Sequence, residues 1–175
     1  YERFLVIGVD LQTDGTVGIA VTNLRNEILF CHSYDISSLE TAEEIAAFTK
    51  EQFLANAASC APEDACYIGI GISVAAIYDA TNACLVSSSI EKYEGVPMKA
   101  LFSRCFGLPA YVDNSSNFKA ISVHTIHKLD NIVCLDISQG TGVGIICNGG
   151  LLRGKNGYGG EVAHVPIGDP SLKCP

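Results

Sequence analysis

Residues 3–34 read RFLVIGVDLQTDGTVGIAVTNLRNEILFCHSY. Three apolar runs of strand length stand in this stretch, at 3–10 (RFLVIGVD), 16–22 (TVGIAVT) and 27–34 (EILFCHSY). Asp14-Gly15 separates the first two, and Asn23 to Asn26 separates the second and third. Short runs rich in Val, Ile, Phe and Tyr, broken by Asp, Gly and Asn, read as strands joined by tight turns. The chain therefore opens with a three-stranded meander.

Working outward, residues 39–58 space Ile45, Ala46, Phe48, Phe53 and Leu54 at three- and four-residue intervals, which predicts a helix. Ser38 or Thr41 can cap it, and Glu43 and Glu44 suit the positive end of its dipole. A buried strand follows at 66–74 (CYIGIGISV), then a helix at 96–106 opened by Val96-Pro97, a short strand at 109–112 and a helix at about 116–126. Strands at 131–137 (NIVCLDI) and 142–148 complete the reading. The class is α/β, and the order βββαβα is the ribonuclease-H-like one. Other three-layer α/β domains share this periodicity, which leaves both open.

The chain has 175 residues, enough for one ordinary core, and 48% of them are apolar against 17% charged. That is globular composition, not disorder. The formal net charge is −8 with no cluster of Lys and Arg, so these residues repel phosphate backbones and are not expected to touch nucleic acid. No basic-then-apolar leader and no apolar run near about 20 residues is present, so neither secretion nor membrane insertion is expected. Eight cysteines are scattered along the chain. Cys134 and Cys147 lie inside apolar strand-like runs, where Cys acts as a small buried hydrophobe. A reduced cytoplasmic protein is the expectation.

Longer motifs discriminate between the folds. They are IGIGISVAAIYDATNACLVSSSI (68–90), YEGVPMKALFSRCFGLPAYVDNSSNFKA (93–120), NIVCLDISQGTGVGIICNGGLLRG (131–154) and KNGYGGEVAHVPIGDPSLKCP (155–175). Together they resemble the ROK family (repressors, open reading frames and sugar kinases) over nearly the whole chain. The most specific piece is Gly154-x5-Gly160-Glu161-Val162-Ala163-His164, with Cys174 ten residues beyond. The resemblance implies the sugar-kinase, actin-like ATPase fold, with one lobe over 1–113 and the start of a second over 114–175. It implies that Glu161 and His164 hold sugar hydroxyls, with Asn114 beside them lining the sugar cleft. A carboxylate accepts two hydrogen bonds, and an imidazole donates from one nitrogen while the other binds metal. His164 and Cys174 match two zinc donors of the family, half of a tetrahedral set. Zinc is therefore expected in the full-length protein and not in this chain.

Three departures bear on activity. The resemblance would place a phosphate cradle of small residues after the first strand, but Gln12-Thr13-Asp14-Gly15 stands there, and Asp14 adds charge of the wrong sign. Gly140-Thr141-Gly142-Val143-Gly144 looks like the second phosphate turn. Registered from Asn148-Gly149, however, the phosphate-contacting pair falls on Ser138-Gln139, and a two-residue deletion would restore the kinase register. The family's general base falls on Ser115 in Asp113-Asn114-Ser115-Ser116-Asn117. A serine cannot take that proton near neutral pH, which removes about 10²–10⁴-fold of rate. The family's Pro-Gly after strand 66–74 is Ala75-Ala76 here.

The expected function is therefore the sugar-sensing domain of a regulator of the N-acetylglucosamine- and xylose-repressor type. Its ligand would be a hexose or N-acetylhexosamine, without ATP and without kinase activity. DNA would be bound through a winged helix ahead of Tyr1, since both ends look cut, and a homo-oligomer is expected. A sugar kinase with a degenerate site and a scaffold that binds no sugar are the alternatives.

Overall fold

In the computed structural model, which describes residues 1–79, 82–88, 90–137 and 140–162, the opening meander is β1 (Phe4–Leu11), β2 (Thr16–Asn23) and β3 (Ile28–Asp35). Strict alternation in β1 and β2 buries Leu5, Ile7, Val9 and Leu11 with Val17, Ile19 and Val21 on one face. A period of two does this because successive side chains of a strand point to opposite faces.

Two crossovers extend the sheet. The first carries α1 (Ala42–Gln52) to β4 (Cys66–Val74), which pairs parallel to β1. The second carries a hairpin, β5 (Ala76–Asp79) and β6 (Cys84–Ser88), then α2 (Met98–Phe106), to β7 (Ala110–Asn114). β7 pairs parallel to β4, giving the five-stranded order β3-β2-β1-β4-β7. Parallel pairs need such crossovers, because a tight turn can only reverse the chain. Ala42, Ile45 and Ala46 of α1 and Met98, Leu101 and Phe102 of α2 join the buried face of the sheet in one core.

The second compact unit, Ser116–Pro175 against Tyr1–Ser115 for the first, has its own layers. α3 (Ser115–His127) is followed by β8 (Ile132–Ile137), β9 (Thr141–Cys147) and the short β10 (Gly150–Leu151), paired antiparallel in the order β10-β9-β8. Lys119 of α3 pairs with Asp136 of β8. Asn148 and Gly149, both at positive φ (51° and 76°), make the tight turn from β9 to β10.

The structure corrects several details of the sequence reading. The helix expected over 39–58 is α-helical to Gln52 and then becomes a π-helical turn (Phe53–Ala57) and a 3₁₀ turn (Ala58–Cys60). Phe53 and Ala57 are buried while Leu54 is exposed, because the wider turn rotates the face away from the α period. Cys147 is exposed at the end of β9 and Cys134 is half-buried, so neither is a fully buried hydrophobe. The strand run of β8 turns Val133, Leu135 and Ile137 outward. The seven described cysteines are free thiols, and among the described residues no helix is long and apolar enough to cross a membrane.

Of the two candidate caps, Thr41 is the one used. The Glu44 amide donates to Thr41 Oγ1 (3.2 Å), and Glu44 Oε2 accepts from the Glu40 and Thr41 amides (2.9 and 3.0 Å). This is a reciprocal capping box, which satisfies donors that a helix start leaves unpaired. The Glu40 amide first, then the Thr41 amide, hold the Glu44 carboxyl below its ordinary value of 4.5. A depressed carboxyl contributes stability above that value and loses it as pH falls through its folded value. Thr41→Ala should lower stability by about 1 kcal/mol in thermal melts, and Glu44→Gln should unfold with a shallower acid dependence below about pH 4.5 than the parent.

Candidate functional site

Parallel pairing brings three chain segments to one end of the five-stranded sheet. Asp10, Ser73 and Asp113 form one row across β1, β4 and β7, and Leu11, Val74 and Asn114 form the next. Just past that row the chain leaves each strand, at Gln12, at Ala75-Ala76 and at Ser115. In open sheets with parallel strands, this carboxyl end is where ligands bind. Three of the positions at which the sequence departs from the kinase pattern therefore lie at one end of the sheet.

The β1–β2 turn is closed by its own side chains. Asp14 Oδ1 accepts from both the amide (3.0 Å) and the hydroxyl (2.7 Å) of Thr16. The Gln12 amide group donates to Asp10 Oδ2 (3.0 Å), and the Gln12 backbone amide donates to the Thr16 carbonyl (3.1 Å). The turn thus presents carboxylates where a phosphate cradle would present glycine N–H groups.

β7 is longer than the strand expected at 109–112 and ends at Asn114. Asp113 is buried within it, and strand alternation puts it on the opposite face from Asn114. Asn114 Nδ2 donates to the Ala76 carbonyl (3.0 Å), and the Asn114 amide donates to Asp113 Oδ1 (2.8 Å). Asn114, assigned to sugar, is thereby tied to the alanine that replaces the family's glycine. Ser115, expected at the family's base position, is half-buried and is the first residue of α3.

In the second unit, Gly142 and Gly144 lie against the start of α3. A Cβ on Gly142 would overlap Ser116 Oγ, and one on Gly144 would overlap the Ser116 carbonyl oxygen and stand 2.6 Å from Ala120 Cβ. Gly140 meets nothing within 4 Å. Gly144 is thus required by packing against the backbone of α3, and Gly142 leaves room for the Ser116 hydroxyl. Glu161 is half-buried on a turn in which the Gly159 amide donates to the Arg153 carbonyl (2.7 Å) and the Val162 amide to the Gly160 carbonyl (2.8 Å). Ser138 and Gln139, and also His164 and Cys174, lie outside the described residues. Among the described residues no cluster of three His, Cys, Asp or Glu side chains is placed to hold a metal ion.

The β5–β6 hairpin was not expected from the sequence, although it holds Asn114. A signal was present: Asp79 and Asn82 bracket its turn, with Asn82 Nδ2 donating to Asp79 Oδ2 (2.7 Å), between the short runs AIYD and CLVSS.

Against known proteins, the model of the ROK family matches residues 6–175. The xylose repressor of Caldicellulosiruptor bescii is 27% identical over 165 residues, which cover 93% of this chain and 41% of that repressor. The chain therefore spans less than half the length of that relative. The structure of a ROK family transcriptional regulator, a homologue of the E. coli MLC protein, superposes with a TM-score of 0.82 at 23% identity, covering 98% of this chain and 43% of that one. A ROK family glucokinase from Streptomyces griseus, solved with glucose and AMPPNP, gives a TM-score of 0.75 at 25% identity, covering 93% of this chain and 51% of its own.

Asn114→Ala removes the donor that ties β7 to the hairpin at Ala76. It should cost about 0.5–1.5 kcal/mol, read as a lower urea midpoint at unchanged slope.

Proposed function

The chain belongs to the ROK family, and from that premise we propose that it is the sugar-sensing part of a transcriptional regulator that does not phosphorylate its ligand. Its fold is the actin-like ATPase fold of the sugar kinases, which the family's regulators and kinases share. The observation that carries the proposal is the self-closed turn at Asp10 to Thr16. A carboxylate at Asp14, held by two hydrogen bonds to Thr16, puts negative charge where the phosphates of ATP would need donors. The hydroxyl of Ser115 at the base position adds to this, because it cannot accept the proton that a sugar hydroxyl must lose.

Sugar recognition needs less than catalysis does. Glu161 accepts hydrogen bonds from vicinal hydroxyls, His164 donates another, and Asn114 adds an amide. The ligand is a hexose, an N-acetylhexosamine or, by analogy with the repressor relative, a pentose. Such a sensor acts on DNA through a winged helix carried elsewhere in the protein, since a surface of net charge −8 does not attract phosphate. His164 and Cys174 bring two donors, half of what a closed tetrahedral zinc site needs, so no step of this reading runs through zinc.

The kinase reading rests on the Gly140-Thr141-Gly142-Val143-Gly144 run, which keeps the letters of a phosphate turn. A coupled ADP-release assay decides between the two. The full-length protein should show no sugar-dependent turnover with hexoses or N-acetylhexosamines, and turnover abolished by Ser115→Ala would establish a kinase. Sugar binding has its own test. Glu161→Ala leaves bound hydroxyls without their acceptor, which should weaken calorimetric affinity by about 1–3 kcal/mol. Wild-type affinity in that variant would remove Glu161 from the site.

A further inference from the structure

The glycines of β9 and the Glu161 turn meet across a single residue, Val143. Gly142 and Gly144 flank it, and alternation turns both toward α3, where they take Ser116 and Ala120 without any intervening side chain. Ser116 and Ala120 are themselves buried, at 4% and 0% exposure. Val143 faces away from α3, and its carbonyl oxygen lies under Gly160: a Cβ on Gly160 would overlap that oxygen. Gly160 holds φ at +91°, a backbone conformation that L side chains rarely adopt. It is peptide-bonded to Glu161, and the turn is closed on both sides by the Gly159–Arg153 and Val162–Gly160 hydrogen bonds.

From this geometry we infer that Gly142 and Gly144 are positioning residues for Glu161: they set how close β9 lies to α3, and Val143 passes that spacing to the turn through Gly160. The inference rests on the reading of Glu161 as a sugar ligand. The physical reason is that Gly144 meets the Ser116 carbonyl and the Ala120 methyl, and Gly160 meets the Val143 carbonyl, so that only the Ser116 hydroxyl beside Gly142 can turn to absorb a shift. A methyl group on Gly142 turns the Ser116 hydroxyl aside and presses β9 away from Ser116 Cβ, and a displaced β9 carries the Val143 oxygen against Gly160. The Gly-rich run therefore has work in a protein that binds no phosphate. Gly140, which meets nothing, is the member of the run that packing does not require.

The steric partners give a specific rescue. The clash at Gly142 is with the Ser116 side chain, so Ser116→Gly should relieve Gly142→Ala. The clash at Gly144 is with the Ser116 carbonyl and the Ala120 methyl, so Ser116→Gly should not relieve Gly144→Ala.

The test is isothermal titration of the full-length protein with D-xylose, D-glucose and N-acetyl-D-glucosamine, using whichever the wild type binds. Gly142→Ala should weaken binding by about tenfold, a coupling of about 1.4 kcal/mol. Adding Ser116→Gly should restore it, while Gly140→Ala should leave it unchanged. In a double-mutant cycle, Gly142→Ala made in the Glu161→Ala background should weaken binding no further, because its effect runs through Glu161. An additive cycle, a Gly142→Ala protein of wild-type affinity, or a failed rescue overturns the inference. Should Gly142→Ala not fold alone, Ser116→Gly is compared with Ser116→Gly/Gly142→Ala. Equal affinities support the seat, and unequal ones overturn it. A wild type that binds none of the sugars, or a Glu161→Ala protein of full affinity, defeats the underlying reading instead, and this inference with it.

Discussion

The parallel pairing of β1 with β4, and of β4 with β7, is the constraint from which the rest of the first unit follows. Parallel neighbours point the same way, so their carboxyl ends must emerge together, and each return must run over a face of the sheet as a crossover. α1 and α2 fill those returns and bury one face. At the shared end stand Leu11, Val74 and Asn114 in register, and beyond them three of the segments in which this chain departs from a kinase pattern.

At that edge the polar groups are used locally. Asp14 is spent on Thr16, Gln12 on Asp10 and Asn114 on the Ala76 carbonyl. A phosphate site wants the reverse: unspent backbone donors and no fixed negative charge. The departures in sequence at 12–14, 75–76 and 115 lie far apart along the chain, yet they act on one region. In the second unit, glycines of β9 stand against Ser116 and Ala120 of α3, and Gly160 of the Glu161 turn stands against Val143.

Local chemistry made much of this legible in the sequence. Apolar runs of strand length over 3–34, broken at Asp14-Gly15 and at Asn23 to Asn26, determined the meander, because such turn residues close neighbouring strands locally. The apolar run 66–74 matched β4 to the residue, and Val96-Pro97 marked the start of the second helix within two residues. The cap of α1 was narrowed to Ser38 or Thr41 from local residues alone, and the structure selects Thr41, closed in a capping box with Glu44. The run from Gly154 to His164 carried the family resemblance, since it is a contiguous signal, whereas Ser115 in Asp113-Asn114-Ser115 stood out as a departure from it.

What tertiary structure alone decided has a common cause: it depends on partners distant in sequence. Leu54 was assigned to the helix's apolar face but is exposed, because the π-helical turn answers to packing at Phe53 and Ala57 rather than to a 3.6-residue period. Ala76 gave no sign that its carbonyl would hold Asn114, 38 positions away. The run at 140–144 reads as a phosphate turn in one dimension. In three dimensions two of its glycines lie against Ser116 and Ala120. A sequence displays the absence of a side chain, but only the fold shows what occupies the space.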